Sequence, residues 1–205
     1  MPKIDLKKEL KALYSPSPKD VSKVDVPAAN FLMIDGMGDP STSKDFQDAI
    51  EALYSVSYTL KFALKKNPQT ADFDYVVMPL EALWWTDGPD GFDIEHRDIW
   101  KWTAMIMQPP HATNELVNMA AVEAAKKKDL PALSKMRFEK FHEGFSAQIM
   151  HIGPFSTEGP TIVRVHEYIK QSGHKLKGRH HEIYLSDFRK TAPEKLKTVI
   201  RQPYE

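Results

Sequence analysis

The chain is 205 residues long, 41% hydrophobic and 10% aromatic, which is enough to build a packed interior and excludes wholesale disorder. Lysine plus arginine and aspartate plus glutamate both number 28, so the formal charge is zero and the basic surplus of a nucleic-acid binder is missing. There is no cysteine, which excludes disulfides, thiolate catalysis and cysteine-ligated zinc.

Residues 1–20 are lysine-rich, lack the apolar core of a signal peptide and end in Ser15-Pro16-Ser17-Pro18, so they read as a non-helical lead-in. No window approaches the roughly 18 uninterrupted apolar residues of a membrane span, and the default compartment is the cytoplasm. Val21 to Asp35 reads as two strands broken at Pro27, followed by a turn at Gly36-Met37-Gly38-Asp39-Pro40. Ser41, Thr42 or Ser43 can cap the next helix, with Asp45 in its first turn, where the helix dipole favours an anion. Phe46, Ile50, Leu53, Ser57, Leu60 and Leu64 make a helical stripe that should pack on a sheet, and Asn67-Pro68 ends it.

Asp74 to Trp85 reads as a strand that Pro79 confines to an edge or a bulge. A polar loop from Thr86 to Arg97 leads to another strand, Trp100 to Met107. Thr113 then caps a helix over 113–128 whose Lys126-Lys127-Lys128 end suits its C-terminus. Met136 to Glu143 and Ala147 to Ile152 read as a strand pair turned at Gly144. Ser156 or Thr157 caps a helix carrying Ile162, Val165, His166 and Ile169, and Gly173 terminates it. Strands His180 to Leu185 and Leu196 to Arg201 complete the set.

The order strand, strand, helix, strand, strand therefore occurs twice, over residues 21–109 and 136–203, with residues 113–128 as a linking helix. Residue echoes accompany it: Phe31 to Gly36 with Gln148 to Gly153, Glu81 with Glu182, and Met107-Gln108-Pro109 with Arg201-Gln202-Pro203. The expected fold is α+β, two duplicated modules with pseudo-two-fold symmetry around a central ligand pocket.

In His180-His181-Glu182-Ile183-Tyr184-Leu185, strand alternation puts His180, Glu182 and Tyr184 on one face. A carboxylate beside a phenol and an imidazole is either a wet surface face or a buried site; burial of a charge is costly unless it is paired. All four tryptophans, Trp84, Trp85, Trp100 and Trp102, fall in one window near Glu81. They are either core packing or a cradle for a flat aromatic or cationic ligand, with Glu81 as its anion. His180 with Glu182 supplies only two of the three or more ligands that zinc needs, so no metal and no cofactor is expected. Neither a phosphate loop nor a nucleophile elbow is present.

The segments Phe31 to Pro40, Met78 to Trp85, Met105 to Pro109, Gln148 to Pro154 and His180 to Asp187 resemble the stand-alone GyrI-like small-molecule-binding proteins of bacteria. The resemblance covers roughly residues 20–203. It implies two strand–helix–strand–strand modules enclosing an aromatic pocket that takes small hydrophobic, aromatic or cationic molecules, as in the ligand domains of multidrug-sensing regulators. It further implies hydrolysis of electrophilic, cyclopropane-bearing compounds, with Glu182 as the pocket glutamate and Tyr184 and the tryptophans lining it. The alternative is a protein that binds or sequesters ligand without chemistry. Residues before 21 are too few for a helix-turn-helix, so a nucleic-acid or membrane partner is not expected, and the chain reads as a monomer or homodimer. The family's usual proline in Ser-Asp-Pro-Arg is Phe188 here, a turn change expected not to touch the site.

Overall fold

The computed structural model describes residues 4–66, 70, 74–87 and 96–205. Asn67-Pro68 and most of the loop from Thr86 to Arg97 lie outside the described residues. Eight strands form one sheet: β1 (Ser22–Val26), β2 (Ala29–Met37), β3 (Leu80–Trp85), β4 (Lys101–Met107), β5 (Arg137–Phe141), β6 (Gly144–Ile152), β7 (His180–Tyr184) and β8 (Lys197–Pro203). Every pairing is antiparallel, in the order β1-β6-β8-β7-β3-β4-β2-β5. Exchanging the first four strands for the last four leaves this order unchanged when read backwards. The α+β layout with a repeated strand–strand–helix–strand–strand order is thus realised.

The modules trade their edges. β1 pairs with β6 and β5 pairs with β2, so the expected hairpin between β5 and β6 does not form. The connections Pro27-Ala28 and His142-Glu143 are only two residues long. They place the Val26–Gly144 pair beside the Ala29–Phe141 pair, so the two ends of the sheet converge. The sheet must therefore curl into a half-barrel, in keeping with the right-handed twist of its strands. Gly144 takes φ +75°, a turn that glycine adopts without strain.

Three longer helices complete the fold: α3 (Lys44–Lys66) and α5 (Gly159–Gln171) pack on the sheet, and α4 (Asn114–Lys127) packs on α3. The Ser43 hydroxyl accepts from the Phe46 N–H at 3.3 Å, and Thr113 accepts from the Leu116 N–H at 3.3 Å, as the cap readings expect. Phe46, Leu53, Ser57, Leu60 and Leu64 are buried along α3, which packs on β2 and β4. Ile162, Val165 and Ile169 of α5 close a second apolar cluster with Ala147, Ile149 and Ile200. Neither Ser156 nor Thr157 caps α5. Phe155–Thr157 form a 3₁₀ turn, Thr157 donates to the Pro154 carbonyl at 2.8 Å, and Glu158 takes the cap position.

Two expectations are corrected. β3 is a central strand, not an edge: it begins at Leu80, directly after Pro79, so the missing proline N–H removes no ladder bond. The N-terminal stretch is also helical, in two turns, α1 (Leu6–Glu9) and α2 (Lys11–Tyr14). Pro16 and Pro18 stop this segment without preventing it, and Leu6, Leu13 and Tyr14 are buried. No described helix is long and apolar enough to cross a membrane.

Gly36 lies opposite Trp102 in the β2–β4 register, and a Cβ there would meet the indole at 2.2 Å. Trp102 is 1% exposed and has nowhere to go. Gly36→Ala should therefore lower stability by about 1–3 kcal/mol, measured by urea unfolding. Residues 21–109 are expected to superpose on residues 136–203 by a near two-fold rotation about the β3–β7 seam. Superposing the halves of a crystal structure tests this.

Candidate functional site

The central strands β3 and β7 carry two polar clusters on opposite faces of the sheet. Their register sets Trp84 opposite His180 and Ala82 opposite Glu182. Alternation then turns Trp84, His180, Glu182 and Tyr184 towards the helices, while Glu81, Leu83, Trp85, His181 and Ile183 face the other way. Glu81 and Glu182, read as echoes, therefore face opposite sides.

On the helix side, the Tyr184 hydroxyl donates to Glu182 Oε2 at 2.7 Å and accepts from Trp84 Nε1 at 3.2 Å. His180 Nε2 lies 3.2 Å from Glu182 Oε1. Burial alone would raise the Glu182 pKa, but the His180 ring and the Tyr184 hydroxyl hold it below the ordinary carboxylate value. Hydrogen bonds to the charged form thus outweigh lost water. Tyr184 is pushed up, by burial and by the Glu182 charge.

A second carboxyl, Glu158, adjoins Glu182 and Thr198 from the start of α5. Burial and the Glu182 charge push its pKa up to about 9. Its Oε1 accepts no hydrogen bond among the described residues, which suits a carboxyl that keeps its proton. The pair thus holds one charge and one proton. Around it, His151 bonds Thr161 and Thr157 and is depressed by burial. His166 is driven to about 4 by burial and by nearby His180.

The tryptophans divide. Trp84 packs on Trp100 at 5.4 Å, and Phe46 joins Trp84 to Trp102 at 5.5 and 4.9 Å. Trp85 faces the opposite side, with the Arg179 guanidinium 3.5 Å from its ring centre. The structure thus brings Glu182, Tyr184, His180 and Trp84 together, with Trp100 and Trp102 packed behind Trp84, and leaves Glu81 and Trp85 apart.

On the far face, His181 is an imidazolium between two carboxylates: Nε2 lies 3.0 Å from Glu81 and Nδ1 3.0 Å from Glu143. Burial opposes its charge, yet Glu143 and Glu81 raise its pKa to about 9; Glu143 falls to about 2 against the same burial because His181 and Arg201 face it. Arg201 donates to Glu143 at 3.1 Å, to Gln148 at 2.9 Å and to the Leu13 carbonyl at 2.8 Å. Tyr14 donates to Glu81 at 2.7 Å and Gln148 to the Ala12 carbonyl at 2.7 Å. Two acids meet two cations, so this cluster is electrically closed. It clamps α2 over a cavity of about 30 Å³, room for roughly two waters.

Over residues 19–205 the chain matches the model of the GyrI-like small molecule binding domain. It belongs to that family. Among solved structures, an uncharacterized conserved protein from Listeria innocua is 41% identical, with TM-score 0.90, covering 99% of this chain and 100% of its own. A hydrolase encoded by lin2189 of Listeria innocua is 40% identical, with TM-score 0.88 and full coverage of both chains. The EcmrR C-terminal domain, at 10% identity and TM-score 0.54, covers 91% of this chain and 97% of its own and shares the fold alone. No curated protein matches the chain. A GyrI-like domain binds small molecules, and this chain is such a domain from residue 19 onward.

Sequence reasoning missed Glu158, Glu143, Arg201 and Tyr14. The one available signal for Glu158 was Pro160 two residues on, which suits the first turn of a helix and puts Glu158 at its cap. Phe188, expected not to touch the site, packs on Phe155 at 6.4 Å, and Phe155 in turn packs on Tyr184 at 5.6 Å.

The far cluster gives a pH signature. Raised His181 stabilises the fold below its ordinary pKa, and that contribution is lost as pH rises through about 9. Depressed Glu143 stabilises above the ordinary carboxylate value, and that is lost as pH falls towards about 2. Glu143→Gln leaves two buried cations facing one carboxylate, Glu81. It should cost about 3–5 kcal/mol and lower the His181 pKa, read by NMR titration of the ring.

Proposed function

We propose that this protein binds flat, electrophilic small molecules against Trp84, Tyr184 and Glu182 and adds water to a strained ring, as in cyclopropane-bearing compounds, a detoxifying reaction. The observation that carries the reading is the buried carboxyl pair, with Glu182 ionised and Glu158 holding its proton. Two adjoining acids pushed apart in pKa are what acid–base catalysis near neutrality requires. The likeness to the Listeria innocua hydrolase over the full chain supports a hydrolytic rather than a purely sequestering role.

In a spiro-cyclopropane conjugated to a dienone, water attacks the ring methylene and the strained C–C bond breaks. Its electron pair moves through the ring system to the carbonyl oxygen, which becomes a phenolate. Glu182 takes the proton lost by water, and Glu158 delivers its proton to the oxygen. Water is added across the bond, and the proton passes from Glu182 back to Glu158 within the pair. Tyr184 holds Glu182 through its 2.7 Å bond and is itself held by the Trp84 N–H. It therefore orients the base; the proton for the oxygen comes from Glu158. Trp84 supplies a flat apolar wall, so that attack on a seated ligand is effectively intramolecular.

Glu182→Gln and Glu158→Gln keep the shape of the pair. Each should retain ligand binding and lose on the order of a hundred-fold or more in water addition, followed by mass spectrometry of a product heavier by one water. Wild-type turnover in Glu182→Gln would reduce that residue to a binding role, and a wild type without product would leave sequestration. Because Glu158 must be protonated, the wild-type rate should fall as pH rises through about 9.

A further inference from the structure

A larger cavity, of about 50 Å³, lies on the flank of α3 away from β7 and has room for roughly four waters. It forms where the first turns of α3 and the 3₁₀ turn Pro131–Lys135 meet β2. In the strand order β7-β3-β4-β2 that is three strands from Glu182. Ile34, Pro131 and Ala132 give it an apolar floor. Trp102 also lines it, and the buried indole Nε1–H has no acceptor among the described residues. The ring edge that carries this nitrogen lies along β2: a Cβ on Gly36 would meet Cζ2 at 2.2 Å and Cε2 at 2.8 Å. The N–H edge thus faces the strand that bounds the cavity, while Phe46 stands edge-on to the ring at 4.9 Å. A buried donor left without an acceptor is costly, and native structures rarely keep one.

The charges around the cavity close among themselves. Asp35 borders it, but strand alternation turns its carboxylate to the other face of the sheet, where it accepts from Thr103 at 2.6 Å and from Arg137 at 3.1 Å. Asp48 pairs with Lys44 at 2.6 Å, and Asp45 with Lys135 at 3.4 Å. Two acids thus meet two cations, and the wall calls for neither an added cation nor an added anion. Ion pairs of this kind at the surface contribute little, so their oxygens and ammonium hydrogens stay open to a ligand. Asp45 and Lys135 are exposed, and the cavity reaches solvent between them. The wall therefore sets carboxylate acceptors one turn apart on α3 beside two donors, the Trp102 N–H and the Lys135 ammonium, over a floor of carbon.

We infer that this cavity binds the vicinal-diol edge of a polyol. A hydroxyl donates to a carboxylate and accepts from an N–H at the same time, whereas an ammonium only donates and a carboxylate only accepts. Two hydroxyls on adjacent carbons meet acceptors and donors set side by side, and the C–H surface between them covers Ile34, Pro131 and Ala132. The volume takes two C–OH units, with the rest of a longer polyol leaving between Asp45 and Lys135. A neutral ligand leaves the closed charge balance of the wall intact. The site stands apart from the carboxyl pair and does not depend on the water-addition reading.

The test follows the four indole N–H signals of the ¹⁵N-labelled protein during titration with glycerol. Single Trp→Phe variants assign them, by elimination if Trp102→Phe does not fold. Glycerol should move the Trp102 signal most and saturably, with a Kd in the millimolar range. Asp45→Ala and Asp48→Ala, changes at surface pairs, should each weaken that Kd about ten-fold. 1-Propanol, with a single hydroxyl, should bind about three-fold more weakly or worse. A Trp102 signal that stays still leaves the cavity to water and overturns the site. A linear drift shared by all four signals is a solvent effect and overturns it too. Saturation by sodium acetate or by ethylammonium chloride, with none by glycerol, replaces the diol with an anion or a cation. Equal affinity for 1-propanol and glycerol, or an unchanged glycerol Kd in both aspartate variants, also overturns the proposal.

Discussion

The architecture turns on one buried guanidinium. Arg201, 2% exposed, binds Glu143 in the two-residue link between β5 and β6, Gln148 on β6 and the Leu13 carbonyl of the N-terminal segment. Glu143 in turn binds His181 on β7, and His181 reaches Glu81 on β3. One chain of ionic hydrogen bonds thus crosses the seam between the modules, closes the corner where the sheet curls and fastens the lead-in. A buried cluster of this kind is weak evidence for net stability, since desolvation offsets much of its attraction. What it does supply is geometric: each donor has one acceptable acceptor, so the curl and the register have one solution.

That rigidity matters because the carboxyl pair sits on the reverse of the same strands. His180 and His181 are consecutive, and alternation sends one to the site and the other to the clamp. The spacing between Glu182 and Glu158 depends on where β7 and the start of α5 are held. The site is built on the most constrained strands of the sheet, and its second acid comes from the one helix terminus without a side-chain cap among the longer helices whose caps are described.

Much of this was legible in the sequence. Apolar periodicity located α3, α4 and α5, and alternation located β7 and the face shared by His180, Glu182 and Tyr184. What periodicity cannot carry is partnership. β5 and β6 read as a hairpin because they are consecutive, yet each pairs with a strand more than a hundred residues away in sequence. Glu81 and Glu182 read as equivalents, but a one-residue offset in register put them on opposite faces. Glu158 was invisible because its role comes from a neighbour's charge 24 positions on. Arg201 and Tyr14 were missed because a lone arginine and a tyrosine in a lysine-rich lead-in carry no periodic signal.

The traded edge strands also bear on how such a fold can exist at all. A lone strand–strand–helix–strand–strand unit would leave its second strand without the neighbour that the other unit supplies. Two identical copies could meet that need only by interlacing as a dimer with the same strand order. The present chain has the form of that dimer with its halves joined through α4. In a single chain the halves need not be alike: the seam carries Ala82 and Trp84 on one strand and Glu182 and His180 on the other. A symmetric pair would have to duplicate any buried acid; a fused one can place a single charge on one side and an aromatic wall on the other.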